Sequence, residues 1–198
     1  MKELHEECGI FGIYDPNGEC AKSTYYGLVS LQHRGQEGCG IAVNRNREIY
    51  HYKDLGLVND VFNQNILEDL EGNMAVGHVR YSTTGGNLRE NVQPLVLRYI
   101  KGSLAIAHNG NLTNTYKLKK ELEKTGAYSL LVMSPNKLIA ARDKWGFRPL
   151  CMGKKGDAIV FASETCAFNT IDAKFERNIK PGEVFVIEQG NTRSIEDN

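Results

Sequence analysis

Tyr128-Ser-Leu-Leu-Val-Met133 and Lys137-Leu-Ile-Ala-Ala141, joined by Ser134-Pro135-Asn136, decide the fold class. Each arm is a short apolar run of strand length, and the link is made of turn-forming residues. Two strands joined by so short a link pair antiparallel. Runs of the same kind recur at residues 8–14, 39–43, 48–52, 74–79, 104–108, 158–162 and 183–187. Helical spacing shows in three places. Residues 21–32 carry Ala21, Tyr25, Leu28 and Val29 on one face, and residues 58–70 carry Val58, Val61, Phe62, Ile66 and Leu70. Residues 114–124 carry Leu118 and Leu122, with Thr113 or Asn114 as N-cap and Gly126 as the stop. Many hairpin-linked strands with few amphipathic helices predict an α+β fold with sheets at its centre.

Composition narrows the function. The 198 residues, 41% of them hydrophobic, suit one domain with a core of its own. Lys plus Arg and Asp plus Glu each number 24, so the net charge is zero. That balance argues against a dedicated binder of nucleic acid or anionic membrane. No apolar run approaches the roughly 20 residues that span a bilayer. The start, Met1 to Glu7, is polar and lacks the apolar stretch of a secretory signal. A soluble, cytoplasmic protein is the expectation. The five cysteines at 8, 20, 39, 151 and 166 include no C-x-x-C pair. Free thiols are expected, most of them small buried hydrophobes.

Polar residues beside glycine at strand ends are the candidates for chemistry, because glycine lets backbone N–H groups approach a ligand. They lie in Cys8-Gly9, in Leu31-Gln-His-Arg-Gly-Gln-Glu37, in Gly77-His-Val-Arg-Tyr-Ser-Thr-Thr-Gly85 and in Ala107-His-Asn-Gly-Asn111. Each has a plainer reading. Cys8 fits an inert core thiol, and His33, His78 and His108 fit satisfied core histidines. Arg80 fits a surface ion pair, and Asn109-Gly110 fits a type I′ turn. A zinc site of Cys8 with the histidines has no ligand spacing to support it, so no metal is assigned.

Taken together and in order, these segments resemble one family. The set is Cys8-Gly-Ile-Phe-Gly12, Leu31 to Glu37, Gly77-His-Val-Arg-Tyr81, Glu90-Asn-Val-Gln-Pro94, His108-Asn-Gly-Asn111, Arg142-Asp-Lys-Trp-Gly-Phe-Arg-Pro149 and Ala162-Ser-Glu-Thr165. It resembles the N-terminal glutaminase domain of the amidophosphoribosyltransferases, class II glutamine amidotransferases that begin purine synthesis. The Leu31 to Glu37 and Glu90 to Pro94 segments look specific to the purine enzymes. The resemblance implies an N-terminal nucleophile hydrolase with a four-layer αββα sandwich. It also implies a propeptide, residues 1–7, ahead of a glutaminase domain, residues 8–198. Cys8 matches the nucleophile that must become the first residue. A free α-amine (pKa about 7.7–8.0) can take the thiol's proton (pKa about 8.5), and a peptide nitrogen cannot. Asn109 and Gly110 match the oxyanion hole, and Arg80 the arginine that holds the glutamine α-carboxylate. Thr83 matches a further carboxylate contact, and Arg34 and Gly35 the loop beside the nucleophile.

Two departures from that family stand out. A few dozen residues expected before Tyr128 are absent. With them goes a Ser-Asp-Thr-Glu-like motif whose aspartate binds the glutamine α-amino group. One helical layer is therefore expected to be incomplete. The chain also stops near Asn198, without the family's phosphoribosyltransferase domain. The family's magnesium and iron–sulfur cluster would belong to that absent part, so no cofactor is expected in this chain. The implied partners are glutamine and the phosphoribosyltransferase domain, with a homo-oligomer for the full-length enzyme. The missing motif supports a second reading, an inactive fragment serving only as a structural or partner-binding module. The intact Cys8, Arg80, Asn109 and Gly110 support glutamine hydrolysis. A class II amidotransferase with a sugar or amino-acid acceptor is disfavoured by the purine-type segments.

Overall fold

The computed structural model describes residues 8–81, 88–100, 102–110 and 126–196. In chain order the elements are β1 (Gly9–Tyr14), α1 (Cys20–Ser30), β2 (Gly38–Arg45), β3 (Glu48–Leu55), α2 (Val58–Val61), α3 (Gln64–Asp69) and β4 (Met74–Arg80). They continue with β5 (Leu95–Tyr99), β6 (Gly102–Gly110), β7 (Tyr128–Met133), β8 (Lys137–Arg142), β9 (Cys151–Lys155) and β10 (Ala158–Ala162). The last are α4 (Cys166–Asn169), β11 (Lys174–Asn178), β12 (Glu183–Glu188) and β13 (Asn191–Glu196). Short 3-10 turns at Gln32–Arg34 and Arg89–Asn91 complete the described elements.

The β7–β8 hairpin forms where the sequence places it. Ser134 N–H reaches the Lys137 carbonyl at 2.8 Å, and Ser134 Oγ accepts from Lys137 N–H at 3.1 Å. Among the described residues the strands make two sheets. One has seven strands in the order β11-β9-β10-β1-β4-β2-β3, and the other six in the order β13-β12-β8-β7-β6-β5. The pairings are antiparallel.

The seven-stranded sheet is covered on both faces, which explains why its central strands read as unbroken apolar runs rather than as alternation. On one face Phe11, Ile13, Ile41, Val43 and Val79 pack with Ala21 and Leu28 of α1. Glycine brings α1 close, since a Cβ on Gly27 would stand 2.4 Å from the Phe11 ring. On the other face Ile10, Val76 and Phe161 meet Ala105, Ala107, Leu131, Ala140 and Phe185 of the second sheet. Phe161 and Phe185 meet edge-on at 5.7 Å.

Sequence reasoning missed β5, β9, β11 and β13. Three of them are sheet edges; β11 and β13 are mostly polar or charged, and β5 is a short, mainly exposed apolar run. The expected helix over residues 58–70 is corrected to two short ones. Phe62 and Asn63 are extended between them, and the Asn63 side chain caps α3 by accepting from Ile66 N–H. Capping stabilises a fresh helix start at Asn63 and so ends the continuous turn. The helix expected over residues 114–124 lies outside the described residues. The described residues therefore show an α+β stack of one helical layer and two sheets.

Candidate active site

Cys8 lies just ahead of β1, at the end of the seven-stranded sheet. It is partly exposed, and its backbone is left-handed, with φ at 61°. A non-glycine residue in that region is uncommon and marks a backbone held by its surroundings. The holder is Arg34. Cys8 N–H donates to the Arg34 carbonyl at 3.1 Å, and Arg34 Nε donates to the Cys8 carbonyl at 2.8 Å. The sulfur sits 3.4 Å from Tyr81 N, which donates to it, and 3.5 Å from Tyr81 O.

The loop that carries Arg34 is pressed onto the end of β4. A Cβ on Gly35 would stand 2.6 Å from the Arg80 carbonyl carbon and 2.8 Å from its nitrogen, so only glycine fits. Glu37 N–H then donates to the Arg80 carbonyl at 3.1 Å. Gly9 pairs with Val79, which places Arg80 opposite Cys8. The Arg80 side chain is 5% exposed, with one guanidinium nitrogen 3.5 Å from the Leu88 carbonyl. Thr83 lies outside the described residues.

The second sheet supplies Asn109 and Gly110 at the end of β6. They are no hairpin turn, because they pair with Ser129 and Tyr128 of β7. Asn109 shares a face with Ala105 and Ala107, toward the first sheet, and is fully buried. Neither atom of its amide has a hydrogen-bond partner among the described residues. Gly110 has φ at 115°, and a Cβ there would meet the Ala127 carbonyl oxygen at 2.0 Å. Glycine is required twice over. Two residues earlier His108 N–H leaves the strand pairing and donates to Gln93 Oε1 at 2.8 Å. Alternation along an antiparallel strand turns the Gly110 N–H to that same side.

His78, on β4, ties the two sheets together at this end. It is fully buried, its ring lies beside the His108 backbone, and neither ring nitrogen reaches hydrogen-bond geometry among the described residues. Burial first, and then the neighbouring His108, push its pKa down to about 3, so the imidazole is neutral at pH 7. Cys8, Arg80 and an Asn109 amide with no hydrogen-bond partner among the described residues thus stand where β1 begins and where β4 and β6 end.

A family model described as class-II glutamine amidotransferases matches residues 20–131, more than half of the chain. The chain belongs to that family.

A second model, described as a glutamine amidotransferase domain, matches residues 125–170. The amidophosphoribosyltransferase of Methanocaldococcus jannaschii is 45% identical over 92% of this chain and 47% of its own length. That of Bacillus subtilis is 41% identical over 98% of this chain and 48% of its own. The alignment with the first runs over 223 positions, more than this chain has, so the relative carries residues that this class II chain lacks. The solved glutamine phosphoribosylpyrophosphate amidotransferase from B. subtilis, complexed with ADP and GMP, superposes with a TM-score of 0.86 at 39% identity. It matches 96% of this chain and 49% of that one. The chain spans about half the length of the curated relatives it matches. A class-II domain protein from Silicibacter pomeroyi, 10% identical with a TM-score of 0.56, shares the fold.

Within this class II fold three of the other four thiols separate from Cys8 by burial, and Cys166, like Cys8, is only partly buried. Cys20, Cys39 and Cys151 are buried, and desolvation pushes each up to about 12. They are inert core thiols. Among the described residues no group of three His, Cys, Asp or Glu is placed to hold a metal. No described helix is long and apolar enough to cross a membrane.

Two residues at the site had no role in the sequence reading. Gln93 bridges to His108, and its carbonyl sits against Gly40, where a Cβ would be 2.4 Å away. Glu164 pairs with both Arg34 and His33. Both residues fall inside quoted motifs, which was the available signal, but a motif names no partners.

Proposed function

We propose that the chain hydrolyses glutamine to glutamate and ammonia through a cysteine thioester, as the ammonia-supplying half of an amidophosphoribosyltransferase. The observation that carries this is the placement of Cys8 opposite Arg80, together with the buried Asn109 amide at the end of β6, which has no hydrogen-bond partner among the described residues. Removal of residues 1–7 would turn the Cys8 nitrogen, now held by the Arg34 carbonyl, into an α-amine aimed by that same acceptor. The amine takes the thiol proton, and the thiolate attacks the side-chain carbonyl carbon of glutamine. Asn109 Nδ2 and Gly110 N–H donate to the oxyanion, ammonia leaves with the returned proton, and water cleaves the thioester. Arg80 pairs with the substrate α-carboxylate, and Thr83 adds a contact.

Every group in this scheme other than glutamine and water belongs to the protein, so the reading asks for no cofactor in this chain. It takes glutamine as substrate and the phosphoribosyltransferase part of the longer relatives as the ammonia acceptor, in a homo-oligomer. Free thiols at 8, 20, 39, 151 and 166 suit a reducing cytoplasm.

The intact mass after incubation with a diazoketone analogue of glutamine tests the proposal. Loss of Met1 to Glu7 with one adduct on Cys8 is the expected result. A full-length mass with no adduct overturns it in favour of an inactive fragment.

A further inference from the structure

Arg34 holds both peptide groups of Cys8, and what holds Arg34 is Glu164. The Arg34 side chain is 1% exposed, a guanidinium almost wholly out of water, and its Nη1 donates to Glu164 Oε1. The other oxygen of Glu164 accepts from His33 Nε2 at 3.1 Å, and His33 Nδ1 lies 3.1 Å from the Ser30 carbonyl. Glu164 is itself fixed beside β1. Its neighbour Ser163 exchanges two hydrogen bonds with Ile10, backbone to backbone at 3.0 Å and Ile10 N–H to Ser163 Oγ at 3.0 Å. Burial alone would push the Glu164 carboxyl up, but the bonds and charges of Arg34 and His33 outweigh it and hold it ionised below its ordinary range.

A chain of contacts therefore runs from β10 through Glu164 and Arg34 to the Cys8 carbonyl. We infer that Glu164 is a positioning residue for the nucleophile: its carboxylate fixes the Arg34 fork, and the fork fixes the Cys8 main chain from which the thiol projects. The inference deepens the glutaminase reading and rests on it for its kinetic consequence. A left-handed residue has little sequence-local reason to stay so, and its surroundings must hold it there. Displacing a nucleophile by about 1 Å can cost on the order of 100-fold in rate while binding contacts elsewhere are kept.

The test compares Glu164→Ala and Glu164→Gln in the whole chain by glutamine hydrolysis and by peptide-resolved amide hydrogen exchange. Glu164→Ala should lower kcat at least about tenfold and leave KM for glutamine within about twofold. It should also speed exchange over residues 8–12 and 31–37 and leave residues 183–188 unchanged. Glu164→Gln keeps an acceptor for Arg34 and should recover most of both. If the alanine variant does not fold, Glu164→Asp, which draws the carboxylate back by one methylene, should show the same split. Unchanged exchange around Cys8, an unchanged kcat in a folded variant, or a loss confined to KM would overturn the inference. If the parent chain itself does not hydrolyse glutamine, the glutaminase reading fails, and the exchange comparison alone decides the role of Glu164.

Discussion

Gly35 and Arg80 lie in backbone contact: a Cβ on the glycine would meet the carbonyl carbon, oxygen and nitrogen of Arg80 at 2.6, 2.7 and 2.8 Å. The loop that holds Cys8 and the strand end that carries Arg80 are thereby one unit. Gly35→Ala must push them apart, because the neighbour is backbone and cannot swing away. We predict a destabilisation of about 1–3 kcal/mol, read as a lower Tm, together with a raised KM for glutamine. A variant with parental Tm and KM would show that the contact is slack.

Cys8 and Arg80 should separate chemistry from binding. Cys8→Ser should abolish ammonia release with little change in Tm, because the side chain is partly exposed. Arg80→Ala should chiefly raise KM, since the proposed carboxylate contact lies away from the reacting amide. Retained hydrolysis in the serine variant, or an arginine effect confined to kcat, would contradict the assignments.

Asn109 offers an unusual combination. Its amide is buried without a partner among the described residues, so it is a cost to the folded state rather than a support. Asn109→Ala should therefore leave Tm unchanged or higher, while kcat falls by about 10²–10³. A clear loss of stability would mean that the amide is tied into the fold.

His78 predicts an acid-sensitive fold. Its pKa is near 3 when folded, against an ordinary value of 6.5, so between those values the unfolded chain binds the extra proton. Stability is then fully present above about 6.5 and drains as the pH falls toward 3. Replacing His78 with glutamine should flatten that part of the stability–pH curve. Denaturant titrations at a series of pH values measure it, and an unchanged slope would discount the buried imidazole.

Glu183 acts in the same direction at lower pH. Its side chain is 1% exposed and accepts from Arg177 at 2.7 and 2.8 Å, from Lys180 N–H at 2.8 Å and from Ser194 Oγ at 2.7 Å. Burial raises the carboxyl, but these donors outweigh it and bring the pKa to about 2 from 4.5. A depressed carboxyl contributes stability above about 4.5 and loses it as the pH drops to 2, worth roughly 3 kcal/mol at neutral pH. Glu183→Gln should lose stability of that order at pH 7 and little at pH 2, as thermal melts at the two values would show.

The sequence by itself determined whatever depends on neighbours along the chain. Strand length and turn chemistry settled the hairpin at Ser134–Asn136, and apolar spacing settled α1. Ordered motifs marked Cys8, Arg80 and Asn109-Gly110 as a set. Local pattern had no purchase on the edge strands β11 and β13, because they are exposed and carry one apolar residue each. It overran the break at Asn63, because a side-chain cap leaves the helical period intact. The site's partnerships were decided only by the tertiary structure. Glu164 meets Arg34 across 130 positions, and Gln93 takes up His108 through the side chain of another segment. Such contacts follow from which strands stack and in what register, and register is a property of two paired sheets rather than of any one stretch of residues.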